Sequence, residues 1–209
     1  MATPSDFVKL GTTVCSRQCD WPGARRLAYT KTMLRTLLIL VFSFSVLTVI
    51  PAQAGKAGPL SLLPSVPAVI GEQVPGAALI SKPVVVTFFA SWCPPCTDEF
   101  KALNDVRAEH PADKVTIIAV NLFEKWGGKE NPLRMARFLK RTKPAFYVVK
   151  GNKQIAKAFG NIERIPSLVV YDPKGKEVWR FIHLQGAAKM SANADEIKAA
   201  LKTALAAGS

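Results

Sequence analysis

From Val84 to Phe89 the chain runs Val-Val-Val-Thr-Phe-Phe without a charge. An unbroken β-branched and aromatic run of this length predicts a strand buried on both faces, as at the centre of an α/β sheet. A helical pattern follows over Pro95 to Glu109, then a second apolar strand over Val115 to Asn121 and a helix over Pro132 to Thr142. In that second helix Met135, Phe138 and Leu139 share one face while Arg134, Arg137 and Arg141 line another. Each strand is separated from the next by a helix long enough for a crossover, so the pairing is expected to be parallel. Beyond a short apolar patch at Ala145 to Val149 come a helix over Asn152 to Phe159 and a strand over Ser167 to Tyr171. Asp172-Pro173-Lys174-Gly175 has Pro second and Gly fourth, which signals a tight turn into a hairpin strand, Glu177 to Ile182. Ile197, Leu201 and Leu205 give the final helix, Ala194 to Ala206, its apolar stripe.

The N-terminal third reads differently. Arg25, Arg26, Lys31 and Arg35 precede a charge-free stretch, Thr36 to Gln53, which ends at Pro51-Ala52-Gln53-Ala54-Gly55. A basic flank, an apolar heart and an Ala-x-Ala site in that order predict a secretory signal. The apolar heart, Leu37 to Ile50, is shorter than the ~20 residues of a usual membrane span, which favours cleavage near Ala54 over a permanent anchor. If uncleaved, the basic flank would hold the N-terminal side in the cytoplasm and the rest outside. Met33-Leu34-Arg35 would by itself complete a short signal, so residues 1–32 are either an extension upstream of the true start or a cytoplasmic tail carrying Cys15 and Cys19. Either way, those two cysteines cannot share a site with the exported part. Residues 55–81 carry Pro59, Pro64, Pro67 and Pro75 with few charges and read as an extended linker or strand-edge lead-in rather than helix.

Of the formal net charge of +13, six basic and two acidic residues ahead of Gly55 account for +4, leaving +9 on the exported part. The arginine stripe reads either as a solvated helix face or as a surface that steers toward acidic partners or an anionic membrane. Export disfavours nucleic acid as the partner of this charge, while transient proximity to a membrane remains open.

The chemistry is concentrated at Trp92-Cys93-Pro94-Pro95-Cys96, where the first strand hands over to a helix. The unpaired N–H groups and the dipole of a first helical turn stabilise a negative charge, so a cysteine there loses its proton more readily. A mixed disulfide formed at Cys93 can then be attacked by Cys96 in the same chain. Two other readings stand beside this one: half of a zinc site, for which few further ligands are in view, and a purely structural disulfide. His110 and His183 stand alone, and no role is assigned to them.

Together with Arg164-Ile165-Pro166-Ser167 before a later strand, the segment Phe88 to Cys96 resembles the thioredoxin superfamily, and within it the TlpA/ResA/CcmG-like extracytoplasmic thiol:disulfide reductases. The resemblance covers roughly Lys82 to Leu205. It implies a thioredoxin fold over 82–209, a central mixed sheet flanked by helices, with Leu122 to Gly160 similar to the TlpA-like central insert. It implies a redox-active Cys93–Cys96 disulfide with no other cofactor and no metal. Cys93 would attack and Cys96 resolve. Pro94 and Pro95 would withhold hydrogen bonds from the thiolate, Trp92 would cap the site, and a cis Pro166 would set Ile165 beside Cys93 to pair with an extended substrate. Without the resemblance, Pro166 reads as an ordinary trans proline opening a strand. Glu99 matches a glutamate that the group uses to handle the proton of the deeper cysteine; a helix dipole alone also favours glutamate there.

Two departures are noted: Thr87 replaces the buried aspartate of thioredoxin, and Lys101 stands where a helix-kinking proline is common. The implied function is a periplasmic protein-disulfide reductase acting on apocytochrome c or copper-site cysteines, with electrons from a membrane thiol relay. Alternatives are a disulfide-forming oxidant of the same fold and a Sco-like copper chaperone.

Overall fold

The computed structural model describes residues 58–125 and 128–208. Cys15, Cys19 and the signal segment 33–54 lie outside these residues. Six strands form one mixed sheet: β1 (Ala68–Ile70), β2 (Val84–Phe89), β3 (Thr116–Asn121), β4 (Tyr147–Lys150), β5 (Ser167–Tyr171) and β6 (Glu177–Ile182), in the order β1-β4-β3-β2-β5-β6. The helices are α1 (Pro94–Glu109), α2 (Pro132–Thr142), α3 (Lys153–Ala158) and α4 (Ala194–Gly208).

β2 is central, as its uninterrupted apolar run requires: all six residues are buried, with β3 parallel on one side and β5 antiparallel on the other. The crossovers through α1 and α2 make β2, β3 and β4 parallel. Tyr147–Lys150 is an element that the apolar patch Ala145 to Val149 did not announce as a strand, because four residues are too few to show a period. Its identity comes from pairing with β3 and with β1.

Alternation along β2 divides the core. Val85 packs with Leu103 and Val106 of α1 and with Ile197 and Leu201 of α4. On the other face Val84, Val86 and Phe88 pack with Leu60, Leu63, Ile155 and Phe159, and the rings of Phe88 and Phe159 meet edge-on at 5.2 Å. At the end of β2, Phe89 stacks on Phe138 of α2 at 5.2 Å and contacts Phe100 of α1 at 4.7 Å, joining the two helices above the sheet.

The Pro-rich lead-in is part of this core, which corrects the linker reading. Pro59–Ser65 is a 3₁₀ turn that buries Leu60 and Leu63, and Val66 and Val74 are buried after it. Proline at its start loses no hydrogen bond, since the first N–H groups of a helical turn are unpaired in any case. The strand-edge reading does fit Ala68–Ile70, which pairs with β4 at the sheet margin. Helix α1 runs unbroken through Lys101, which is exposed and paired with Asp98. The β5–β6 turn closes with Gly175 N–H donating to Asp172 O at 2.9 Å, with Gly175 at φ 78°. No described helix is long and apolar enough to cross a membrane.

Candidate redox site

Cys93 occupies the N-cap of α1 in extended conformation (φ −89°, ψ 110°), and Pro94 takes the first helical position, one residue earlier than the pattern suggested. Proline is tolerated there because its φ already suits the helix and its missing N–H would have had no partner. The Cys93 N–H donates to Ala90 O at 3.1 Å, which turns the chain sharply off the end of β2. Cys93 and Cys96 are joined in a disulfide with their Cα atoms 5.4 Å apart. Their exposure differs: Cys93 retains 4% of its surface and Cys96 none.

Glu99 lies one helical turn beyond Cys96 on α1, a spacing that puts both on one face. Its carboxylate is buried and meets two donors, the Thr87 hydroxyl on β2 and the Ala192 N–H at 3.4 Å. Burial outweighs both hydrogen bonds and pushes the Glu99 pKa up to about 7. Thr87, the departure from thioredoxin's aspartate, is thus the residue that touches this carboxyl group.

A second buried carboxylate, Glu124, escaped the sequence reading. It follows β3 and accepts from Ser91 N–H at 2.9 Å, from the Ser91 hydroxyl, from Asn121 Nδ2 at 2.9 Å and from Arg134 Nη2 at 3.2 Å. Burial opposes ionisation here too, but these donors prevail and hold its pKa below the ordinary carboxylate value. Arg134 also donates to Ser91 Oγ at 3.0 Å and to Glu124 O at 3.1 Å, while Trp92 Nε1 donates to Phe123 O at 2.9 Å. The loop carrying Ser91 and Trp92 is therefore tied to the loop after β3. The arginine stripe on α2 is divided in its duties. Arg134 joins this cluster, Arg141 donates to Thr97 Oγ1 at 3.3 Å, and Arg137 is exposed.

Two clefts open on Cys93. One, of about 450 Å³, is lined by Trp92, Pro94, Pro95, Phe123, Ile165, Met190 and His183, with Glu163 and Arg164 also lining it. The other, of about 380 Å³, is more polar and is lined by Ser91, Trp92, Pro94, Thr97, Asp98 and Arg141. The Ile165–Pro166 peptide is cis, Pro166 is buried, and Ile165 faces the first cleft with Cys93. Of the residues singled out from sequence around the cysteines, Trp92, Cys93, Pro94, Pro95 and Ile165 line the first cleft, whereas Cys96, Glu99 and Pro166 are buried and line neither. His183, to which no role was assigned, lines the same cleft as Cys93. Among the described residues no three His, Cys, Asp or Glu side chains are grouped to hold a metal ion.

The Redoxin family profile matches residues 53–197. Sporulation thiol-disulfide oxidoreductase A of Bacillus subtilis (strain 168) is 30% identical over 119 residues, covering 54% of this chain and 70% of that protein. Thiol-disulfide oxidoreductase ResA of the same organism is 27% identical over 109 residues, covering 52% of this chain and 57% of that protein. Among solved structures, StoA from Bacillus subtilis aligns with a TM-score of 0.50 at 25% identity, over 65% of this chain and 92% of its own. A secreted Mycobacterium tuberculosis disulfide oxidoreductase homologous to E. coli DsbE shares the fold, with a TM-score of 0.53 at 22% identity over 66% of this chain and 93% of its own. The chain belongs to the Redoxin family and is a thioredoxin-fold, TlpA/ResA-like thiol–disulfide oxidoreductase, a class that carries its electrons on a redox-active disulfide.

Proposed function

We propose that this chain is an exported reductant of protein disulfides, in which Cys93 attacks and Cys96 resolves. The observation that carries the assignment is the asymmetry of the pair: Cys93 lines both clefts, whereas Cys96 is fully buried behind it. A substrate disulfide can reach only Cys93. The Cys93 thiolate attacks one substrate sulfur, the substrate S–S bond breaks, and the other sulfur leaves with the electron pair. Cys96 then attacks Cys93 Sγ, releasing the second substrate thiol and re-forming the Cys93–Cys96 disulfide, so two electrons pass to the substrate.

Other residues support these steps. Cys93 sits at the N-terminus of a sixteen-residue helix, where the dipole favours its thiolate. Glu99, beneath Cys96 with a pKa near neutrality, is suited to take the Cys96 proton when that thiol attacks. Trp92, Pro94, Pro95 and Ile165, the last set in place by the buried Pro166, form the wall against which an extended substrate lies. The basic N-terminal flank and apolar heart support export to the periplasm, where a membrane thiol relay would re-reduce the pair. Apocytochrome c and copper-site cysteines are the substrates that the TlpA/ResA-like resemblance suggests.

The deciding experiment is the reduction potential of the Cys93–Cys96 pair, by equilibration against thiol buffers, together with Cys96→Ser. A potential near thioredoxin's, about −270 mV, supports a reductant; one near −120 mV makes the protein an oxidant. Cys96→Ser should accumulate a mixed disulfide through Cys93, and a mixed disulfide through the other cysteine in Cys93→Ser alone would reverse the assignment.

A further inference from the structure

His183 stands just beyond the end of β6, and two hydrogen bonds fix it beside the cis peptide. Its backbone N–H donates to Pro166 O at 3.1 Å, and its Nδ1 lies 3.1 Å from Ile165 O. A carbonyl oxygen can only accept, so Nδ1 must carry the hydrogen of that bond. The tautomer is thereby settled: Nε2 is the ring nitrogen left for chemistry, a base in the neutral ring and a donor once the ring is charged. His183 lines the 450 Å³ cleft into which Cys93 opens, so both residues border whatever occupies it. The other charged side chains lining this cleft are Glu163 and Arg164; Lys189, on the loop after β6, is held by Glu196.

We infer that His183 is the acid–base catalyst for the substrate's sulfur, a role that rests on Cys93 being the attacking cysteine. In the reducing direction, Cys93 Sγ forms a bond to one substrate sulfur while the substrate S–S bond breaks. The departing sulfur takes the electron pair and receives the Nε2 proton of the charged ring, leaving as a neutral thiol. The ring regains that proton from water. In the reverse direction neutral Nε2 takes the proton of a substrate thiol, and the resulting thiolate attacks the disulfide. Glu99 has no access to this sulfur, because it is buried beneath Cys96 and lines no part of the cleft. The two proton-handling groups therefore serve different sulfurs: Glu99 the protein's own Cys96, and His183 the substrate's.

A leaving thiolate needs a proton donor in proportion to its basicity, which gives the test. Pre-reduced protein is mixed in single turnover with two disulfides, a dialkyl disulfide peptide and the aryl disulfide dithiobis-nitrobenzoate, whose much more acidic thiol leaves without help. His183→Asn keeps a side-chain N–H for Ile165 O but has no second nitrogen at the Nε2 position; His183→Ala lacks both. In each variant the ratio of the dialkyl to the aryl rate constant should fall about a hundredfold, the scale of general acid catalysis. An unchanged ratio overturns the inference, whether both rates drop together, as a purely structural role would give, or neither moves. Unsubstituted protein that reduces neither disulfide would instead overturn the reading of Cys93 itself.

Discussion

Glu99 and Glu124 are the same side chain, both nearly removed from solvent, the first on the helix that carries Cys96 and the second bonded to Ser91 just ahead of Cys93, yet they behave as opposites. Glu99 retains 1% of its surface and meets one hydroxyl and one distant N–H. Glu124 retains 8% and is met by a backbone N–H, a hydroxyl, an amide and a guanidinium. The first holds its proton up to about pH 7, while the second gives it up more readily than a free carboxylate. Burial raises the pKa in both cases, so the outcome turns on how many donors, and how much positive charge, the fold brings to the carboxylate. The result is a division of labour: a proton carrier beneath Cys96, and a readily ionised carboxylate that fastens the loop leading into Cys93.

The sharpest way to break this comparison is pH. The unfolded chain releases the Glu99 proton near the ordinary value of 4.5 and the folded chain near 7. Between those values the folded state holds the extra proton, so stability falls as pH rises; the contribution is fully present below 4.5 and gone above 7. Its size over that interval is about 3 kcal/mol. Glu99→Gln should therefore match the parent chain in urea midpoint at pH 4 and exceed it at pH 8, by up to about 3 kcal/mol. A constant difference at both pH values would mean that Glu99 ionises as an ordinary carboxylate.

Glu124→Gln should do the reverse. Its lowered pKa contributes stability above the unfolded value, lost as pH falls through the folded one. The substitution leaves Arg134 half-buried without its anion and turns an amide toward the Ser91 N–H, at a cost of about 2 kcal/mol at pH 7 that shrinks in acid. Denaturant titration at pH 7 and pH 3 would read both parts, and a deficit that grows in acid would place Glu124 in the same class as Glu99. Arg134→Ala has the smallest expected effect. It removes one of several donors to Glu124 and a guanidinium that is partly exposed, so about 1 kcal/mol is lost at pH 7. A loss as large as that of Glu124→Gln would show that the arginine, rather than the Ser91 and Asn121 donors, keeps Glu124 ionised.

Much of the framework was legible along the chain. The β2 run, the helix after it and the hairpin at Asp172 to Gly175 declare themselves through patterns of neighbouring residues, and the structure places them within a residue or two of expectation. The lead-in is not legible in this way, because its four prolines outweigh Leu60 and Leu63, whose burial depends on Val84, Val86 and Phe88 arriving from later in the chain. β4 is hidden for the same reason, since four residues have no period of their own and take their identity from pairing with β3 and β1. Around the cysteines, the motif made Trp92, Cys93, Cys96 and Pro166 visible. Glu124 carried no signal, and the position of Arg134 in a basic stripe gave no hint of its partner.

Sequence by itself determined that two cysteines stand where a buried strand meets a helix, and that parallel crossovers surround them. Those properties follow from periodicity and helix-end chemistry, which are local. Only the tertiary structure decided which cysteine is reachable, which glutamate keeps its proton, and that His183 shares a cleft with Cys93. Desolvation and hydrogen bonding act through space, so they are set by residues that the chain brings together only when the sheet closes and β6 comes to lie beside β5.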